Sequence, residues 1–160
     1  MRVIQVCVGR SRAARIGDRS FMTAFAKRAV DGPAAVRPLG LEGDEQADLS
    51  VHGGLAKAVY AYPQEHYAFW QTVRAQAGVA PWDEPLPPGS LGENLLLHGL
   101  LEDQLWIGDR LRIGDPASGA GCVLAVSEPR RPCFKFDAAM GFAQASRLMI
   151  QSGWCGAYLA

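Results

Sequence analysis

The sequence predicts a mainly β fold with peripheral helices, organised as a β-barrel. Three observations lead there: many short apolar runs end at glycine or proline, only two segments carry helical periodicity, and no internal repeat divides the chain. A length of 160 residues is one domain's worth, so residues 1–160 read as a single domain. Hydrophobic residues at 49% supply a packed core and exclude intrinsic disorder.

The elements follow in order. Val3 to Val8 is short, β-branched and ended by Gly9, the pattern of a buried strand, and Arg10, Arg12 and Arg15 follow in a loop. Ser20 to Val30 places Phe21, Thr23, Phe25 and Lys27 on one face at period two, which favours a strand, although its alanines also permit a helix. Asp31-Gly32-Pro33 marks a turn, Ala35 to Leu39 resumes an extended run, and Gly40 to Asp48 is glycine-rich and acidic. Ala58 to Tyr62 is a strand leading into a helix that starts at Pro63, repeats Tyr67, Trp70, Val73 and Ala77, and stops at Gly78.

Pro81, Pro85, Pro87 and Pro88 make an irregular connection. Leu95 to Leu97 predicts a strand, and Leu105 to Ile107 and Leu111 to Ile113 predict two more around the tight turn Gly108-Asp109-Arg110. Val123 to Val126 is a further strand. A single amphipathic helix is expected from Asp137, its N-cap, to Ser152, and a last strand lies within Trp154 to Ala160.

Charge narrows the function classes. Lys+Arg and Asp+Glu both number 16, so no global field recruits nucleic acid or an anionic membrane surface. No apolar run approaches the roughly 18 residues of a spanning helix, and Met1 to Arg10 lacks a leader pattern. The expectation is a soluble, cytoplasmic protein with neither nucleic acid nor membrane as partner. Cys7, Cys122, Cys133 and Cys155 contain no Cys-x-x-Cys pair, and His52, His66 and His98 lack i, i+4 spacing, so spacing supports no protein-only metal cage. No nucleotide-binding glycine motif is present either.

Three local features could carry chemistry. Cys133 sits in Pro-Arg-Arg-Pro-Cys-Phe-Lys, where prolines stiffen the loop and Arg130, Arg131 and Lys135 favour the thiolate of an exposed side chain. A small buried side chain in a solvated basic loop is the competing reading. Gly53 and Gly54 let a ligand approach the backbone, with His52 beside them as a proton donor, a ligand or a turn-bonded imidazole. Gly92-Glu93-Asn94 could present an amide to a heterocycle or close a turn. The acidic Glu42, Asp44, Glu45 and Asp48 read as a solvated turn, and His66 and His98 as structural or solvated.

Five segments in order carry a resemblance over almost the whole chain: Gly40-Leu41-Glu42-Gly43-Asp44, Val51-His52-Gly53-Gly54 with Lys57 to Pro63, Gly92-Glu93-Asn94-Leu95, Ile107-Gly108-Asp109, and Pro129 to Cys133. The sequence resembles the MOSC family, the molybdenum cofactor sulfurase C-terminal domain, and within it the free-standing YiiM-like members. The resemblance implies a β-barrel that binds a molybdenum–pterin cofactor, with the residue matching Cys133 as the thiolate on molybdenum. It implies N-hydroxylated bases or related N-oxygenated compounds as substrates, reduced to amines in a detoxifying reaction with electrons from separate redox proteins. Lys27 and His52 match the lysine and histidine thought to join that cysteine in catalysis.

The residue chemistry suits that implication. A thiolate is a soft ligand for a metal already chelated by sulfur, and Arg130, Arg131 and Lys135 suit the cofactor's phosphate, with Gly53, Gly54, Glu93 and Asn94 as further cofactor contacts. The sequence holds no pyridoxal-phosphate domain, so the resemblance is not to a complete sulfurase. Relatives usually run on beyond the segment like Trp154 to Ala160, which leaves a truncated chain or a short member as readings. Two other function classes stay open: a non-catalytic carrier of cofactor or sulfur on Cys133, and a thiol-based redox or interaction domain without molybdenum.

Overall fold

A computed structural model describes residues 1–25, 27–49 and 53–160. Its frame is a curled, seven-stranded half-barrel. The strands are β1 (Arg2–Val8), β4 (Arg28–Ala29), β7 (Val59–Pro63), β8 (Leu95–His98), β9 (Arg110–Asp115), β10 (Ala120–Pro129) and β11 (Ala157–Leu159), in the order β4-β1-β8-β7-β11-β10-β9. Two small ribbons stand outside it: β2 (Arg12–Ile16) with β3 (Arg19–Thr23), and β5 (Val36–Arg37) with β6 (Gly40–Leu41). Three helices cover the sheet: α1 (Tyr67–Gln76), α2 (Phe134–Met140) and α3 (Ala145–Ser152).

β7 and β8 are parallel neighbours, Ala61 pairing with Leu95 and Pro63 with Leu97. A parallel pair needs a crossover, and α1 with the proline-rich stretch after it provides one. Both faces of β7 are buried, and period two sorts them. Val59 and Ala61 enter a core with Leu95, Leu97, Leu124 and Leu159. Tyr60 and Tyr62 enter a second core under the helices, with Trp70, Leu91, Phe136, Met140 and Met149. There the Trp70 indole donates to the Tyr62 hydroxyl at 2.6 Å, and that hydroxyl donates to the Trp154 carbonyl at 3.0 Å, so the buried polar atoms of both rings are satisfied.

The mainly β expectation holds, with five corrections. The basic stretch after Gly9 is β2 of a hairpin, not a loop, because Arg12 to Ile16 pairs residue by residue with Thr23 to Arg19. The run from Ser20 to Val30 breaks after Thr23, whose hydroxyl accepts the Phe25 amide at 3.2 Å and turns the chain out of register. Pro63 ends β7 and is followed by a 3₁₀ turn, Gln64–His66, before α1. Leu105 to Ile107 is not a strand: the Gly108 amide bonds the Val126 carbonyl at 2.8 Å, and Trp106 and Ile107 project into solvent.

The last helix also differs. Gly141, at φ 81°, ends α2, and α3 begins after Gln144, at φ 70°. Asp137 lies inside α2, and its carboxylate accepts the Ser146 amide at 2.6 Å, so it satisfies the first turn of α3 rather than capping one long helix. No helix among the described residues is long and apolar enough to cross a membrane.

Candidate functional site

Where the chain leaves β10 for α2, Pro129 to Pro132 carries Cys133 to the N-cap of α2, with extended backbone at φ −134° and ψ −177°. This places the half-buried Cys133 on a cavity of about 100 Å³ whose lining also includes Lys27, Asp44, Tyr60 and Asn94. Arg130, Arg131 and Lys135 line the same cavity. Six of the residues expected at the site from sequence therefore meet in one place: Lys27, Asn94, Arg130, Arg131, Cys133 and Lys135.

The floor is a polar network built from three distant segments. The Lys27 ammonium and the Asp44 carboxylate form a buried ion pair. The same carboxylate accepts the Gly9 amide at 2.7 Å and the Asn94 amide at 2.8 Å. Asn94 also donates to the Cys7 carbonyl at 3.2 Å and accepts the Tyr60 amide at 3.0 Å, so both its N–H donors are engaged inside the protein. Burial pushes the Lys27 amine below the usual lysine range, and the pull of Asp44 offsets this only in part.

Arg130 points inward. Its guanidinium carbon lies 4.5 Å from the centroid of Tyr60, 4.8 Å from Phe25 and 5.1 Å from Phe136, and Nη1 donates to the Leu91 carbonyl at 2.6 Å. Three aromatic faces hold the planar cation where a solvated arginine would not stay. Arg131 is exposed and Lys135 half-buried.

Glu93 lies behind the pocket and is not among its lining. It is fully buried, accepting the Tyr67 hydroxyl, the Gly89 amide at 2.6 Å and the Leu91 amide at 3.1 Å. Burial raises its carboxyl above the usual range despite those donors. Gly53 and Gly54 are one step removed: the Gly54 amide donates at 2.8 Å to the side chain of Gln46, which lines the cavity. His52 lies outside the described residues.

Asp44 is what sequence reasoning missed. The solvated acidic turn is correct for Glu42 and Glu45, both exposed beside Arg37 and Arg10, but Asp44 is buried. Its partners are 17 and 50 residues away, so no local pattern reveals them. His66 is structural: it bonds Glu102 at 2.8 Å and stacks on Trp154 at 4.6 Å. His98 is exposed beside Glu65.

Among the described residues no three His, Cys, Asp or Glu side chains form a metal cage. One thiol bordered by Arg131 and Lys135 fits a metal group that brings its own sulfur chelate and an anionic tail.

Known proteins share this arrangement of sequence and fold. The family model for the MOSC domain matches residues 48–160. Protein YiiM of Escherichia coli (strain K12) is 38% identical over 137 residues, covering 84% of this chain and 55% of that protein. A Gibberella moniliformis protein named "Reductase" is 33% identical over 154 residues, covering 96% of this chain and 25% of its own length. The crystal structure of YiiM from Geobacillus stearothermophilus superposes with a TM-score of 0.69 at 28% identity, covering 99% of this chain and 66% of that one. This chain thus spans little more than half the length of the Escherichia coli relative. With its half-barrel superposing on YiiM and the family model matching from Asp48 to Ala160, the chain belongs to the MOSC domain family and is similar to YiiM.

Proposed function

We propose that this protein binds a molybdenum–pterin cofactor through Cys133 and reduces N-hydroxylated bases or related N-oxygenated compounds to amines. The observation that carries the reading is that the Cys133 thiol and the Lys27 amine line one cavity with Arg131 and Lys135. Family membership and a relative named as a reductase support it.

The overall change is R–NH–OH + 2 e⁻ + 2 H⁺ → R–NH₂ + H₂O. When bound, the cofactor supplies the two-electron redox centre, recharged by separate electron-donor proteins. The chain's residues have narrower tasks. The Cys133 sulfur holds the metal, and Arg131 and Lys135 pair with the cofactor's phosphate. Lys27 Nζ holds a proton for the departing oxygen. Its burial makes the ammonium more acidic than a solvated one and so a better donor near neutral pH. Asp44 keeps that amine in place, and Arg130 forms a rigid wall. His52 is the second proton donor in this proposal.

The test is turnover of an N-hydroxylated base by cofactor-loaded protein with a chemical electron donor. Loss of reduction in Cys133→Ser, and a fall of roughly 10²-fold or more in Lys27→Met at equal cofactor content, is expected. Full cofactor loading without turnover would contradict reduction and leave the carrier reading.

A further inference from the structure

Beside the Cys133 cavity runs a larger groove of about 690 Å³, between the β2–β3 hairpin, α2 and the segment 84–90. The two share Thr23, Phe25, Lys27 and Lys135 in their linings, so the groove continues the cavity. Its charge is one-sided: Arg12, Arg15, Lys27, Arg28, Arg74 and Lys135 face a single acid, Glu84. Lys27 is paired with Asp44 and Arg15 with Asp18. Among the described residues none of Arg12, Arg28, Arg74 and Lys135 has a carboxylate within 4.0 Å.

The Arg74 Nε is buried, with no hydrogen-bond partner among the described residues. That atom is closed to solvent, so a ligand would meet the rest of the guanidinium; with Arg12, Arg28 and Lys135 lining the same groove without a carboxylate partner, the wall suits an anion. A phosphate supplies the multiple acceptor oxygens such a set needs.

We propose that this groove binds the phosphate end of the substrate, so that the N-oxygenated base is taken as its nucleotide. The inference rests on the reductase reading for the identity of the base, while the phosphate site stands on the groove alone. The reacting nitrogen sits at the Cys133 cavity, and the 5′-phosphate lies among Arg12, Arg28 and Arg74. Arg131, which lines only the smaller cavity, and Lys135, which lines both, remain for the cofactor.

Binding is measured by calorimetry on cofactor-free protein with adenosine 5′-diphosphate, and with adenosine as the uncharged control. The diphosphate binds and adenosine binds at least about tenfold more weakly. Arg74→Gln and, separately, the exposed Arg28→Gln each weaken the diphosphate by about 10-fold or more, as loss of a charge-assisted hydrogen bond does. Arg112→Gln, on β9 outside the groove, leaves it unchanged. Equal affinity for adenosine and its diphosphate, or affinity indifferent to both groove substitutions in folded protein, overturns the proposal. So does a fall in molybdenum and pterin content in Arg28→Gln, because the groove would then serve the cofactor. Failure of reduction with intact diphosphate binding overturns the reductase reading and not the phosphate site.

Discussion

Lys27 and Asp44 form a buried ion pair that joins the segment after β3 to the turn after β6 at the floor of the Cys133 cavity. The pair is shielded from solvent, with 8% and 5% of the side chains exposed, so screening by salt is weak. Removing one partner leaves the other charge buried alone. Asp44→Asn is expected to destabilise the fold by about 3–5 kcal/mol. The double variant Lys27→Met/Asp44→Asn costs less than Lys27→Met and Asp44→Asn together. Urea unfolding of the four proteins measures the coupling, and strict additivity would contradict a direct pair.

Glu93 gives a pH signature. Its carboxyl holds a proton more tightly folded than at its ordinary value of 4.5, so the neutral form favours the folded state. As pH rises past that value the unfolded chain ionises first, and stability is lost until the folded Glu93 ionises as well. The stability difference between the native sequence and Glu93→Gln is therefore largest at low pH and shrinks as pH rises from about 4.5. At low pH the variant is also less stable by about 1–3 kcal/mol, since an amide N–H₂ faces a backbone donor. A difference that grows with pH contradicts the assignment.

Gly156 tests the seam between β7 and β11. At φ 65° it takes a left-handed conformation, and a Cβ there would press into the Ala61 carbonyl and lie 2.9 Å from the rings of both Tyr60 and Tyr62. Gly156→Ala is expected to cost about 2–4 kcal/mol from backbone strain and overpacking combined. Chemical denaturation reads it directly, and a neutral result would contradict the packing described.

The Cys7 thiol is inert in the folded protein. Full burial and the nearby Glu93 push it up to about 12. Iodoacetamide at pH 8 leaves Cys7 unmodified in native protein and modifies it after unfolding, as peptide mass spectrometry shows. Modification of Cys7 without unfolding would contradict its place in the core.

Patterns that are local were legible in the sequence. Val59 to Tyr62 announces a strand through its own apolar density, Gly78 ends α1, and the proline-flanked loop marks Cys133. Errors arose where tertiary partners decide. Asp137 reads as an N-cap from its neighbours, yet its carboxylate serves a helix nine residues on. Arg130 reads as one of three cations suited to the cofactor's phosphate, and no local pattern shows that three aromatic rings from separate segments surround its guanidinium. Asp44 reads as part of an acidic turn because Lys27 and Asn94 are remote in sequence.

Cys133 is the proposed anchor of a molybdenum–pterin group. Molybdenum and pterin content per chain, after anaerobic production in a host that makes the cofactor, tests that role most directly when the native sequence is compared with Cys133→Ala. Near-stoichiometric metal and pterin are expected in the native protein, with loss of the metal in a variant that remains folded. Absence of both groups from the native protein, with cofactor supply verified by a second molybdenum protein from the same cells, would contradict that role.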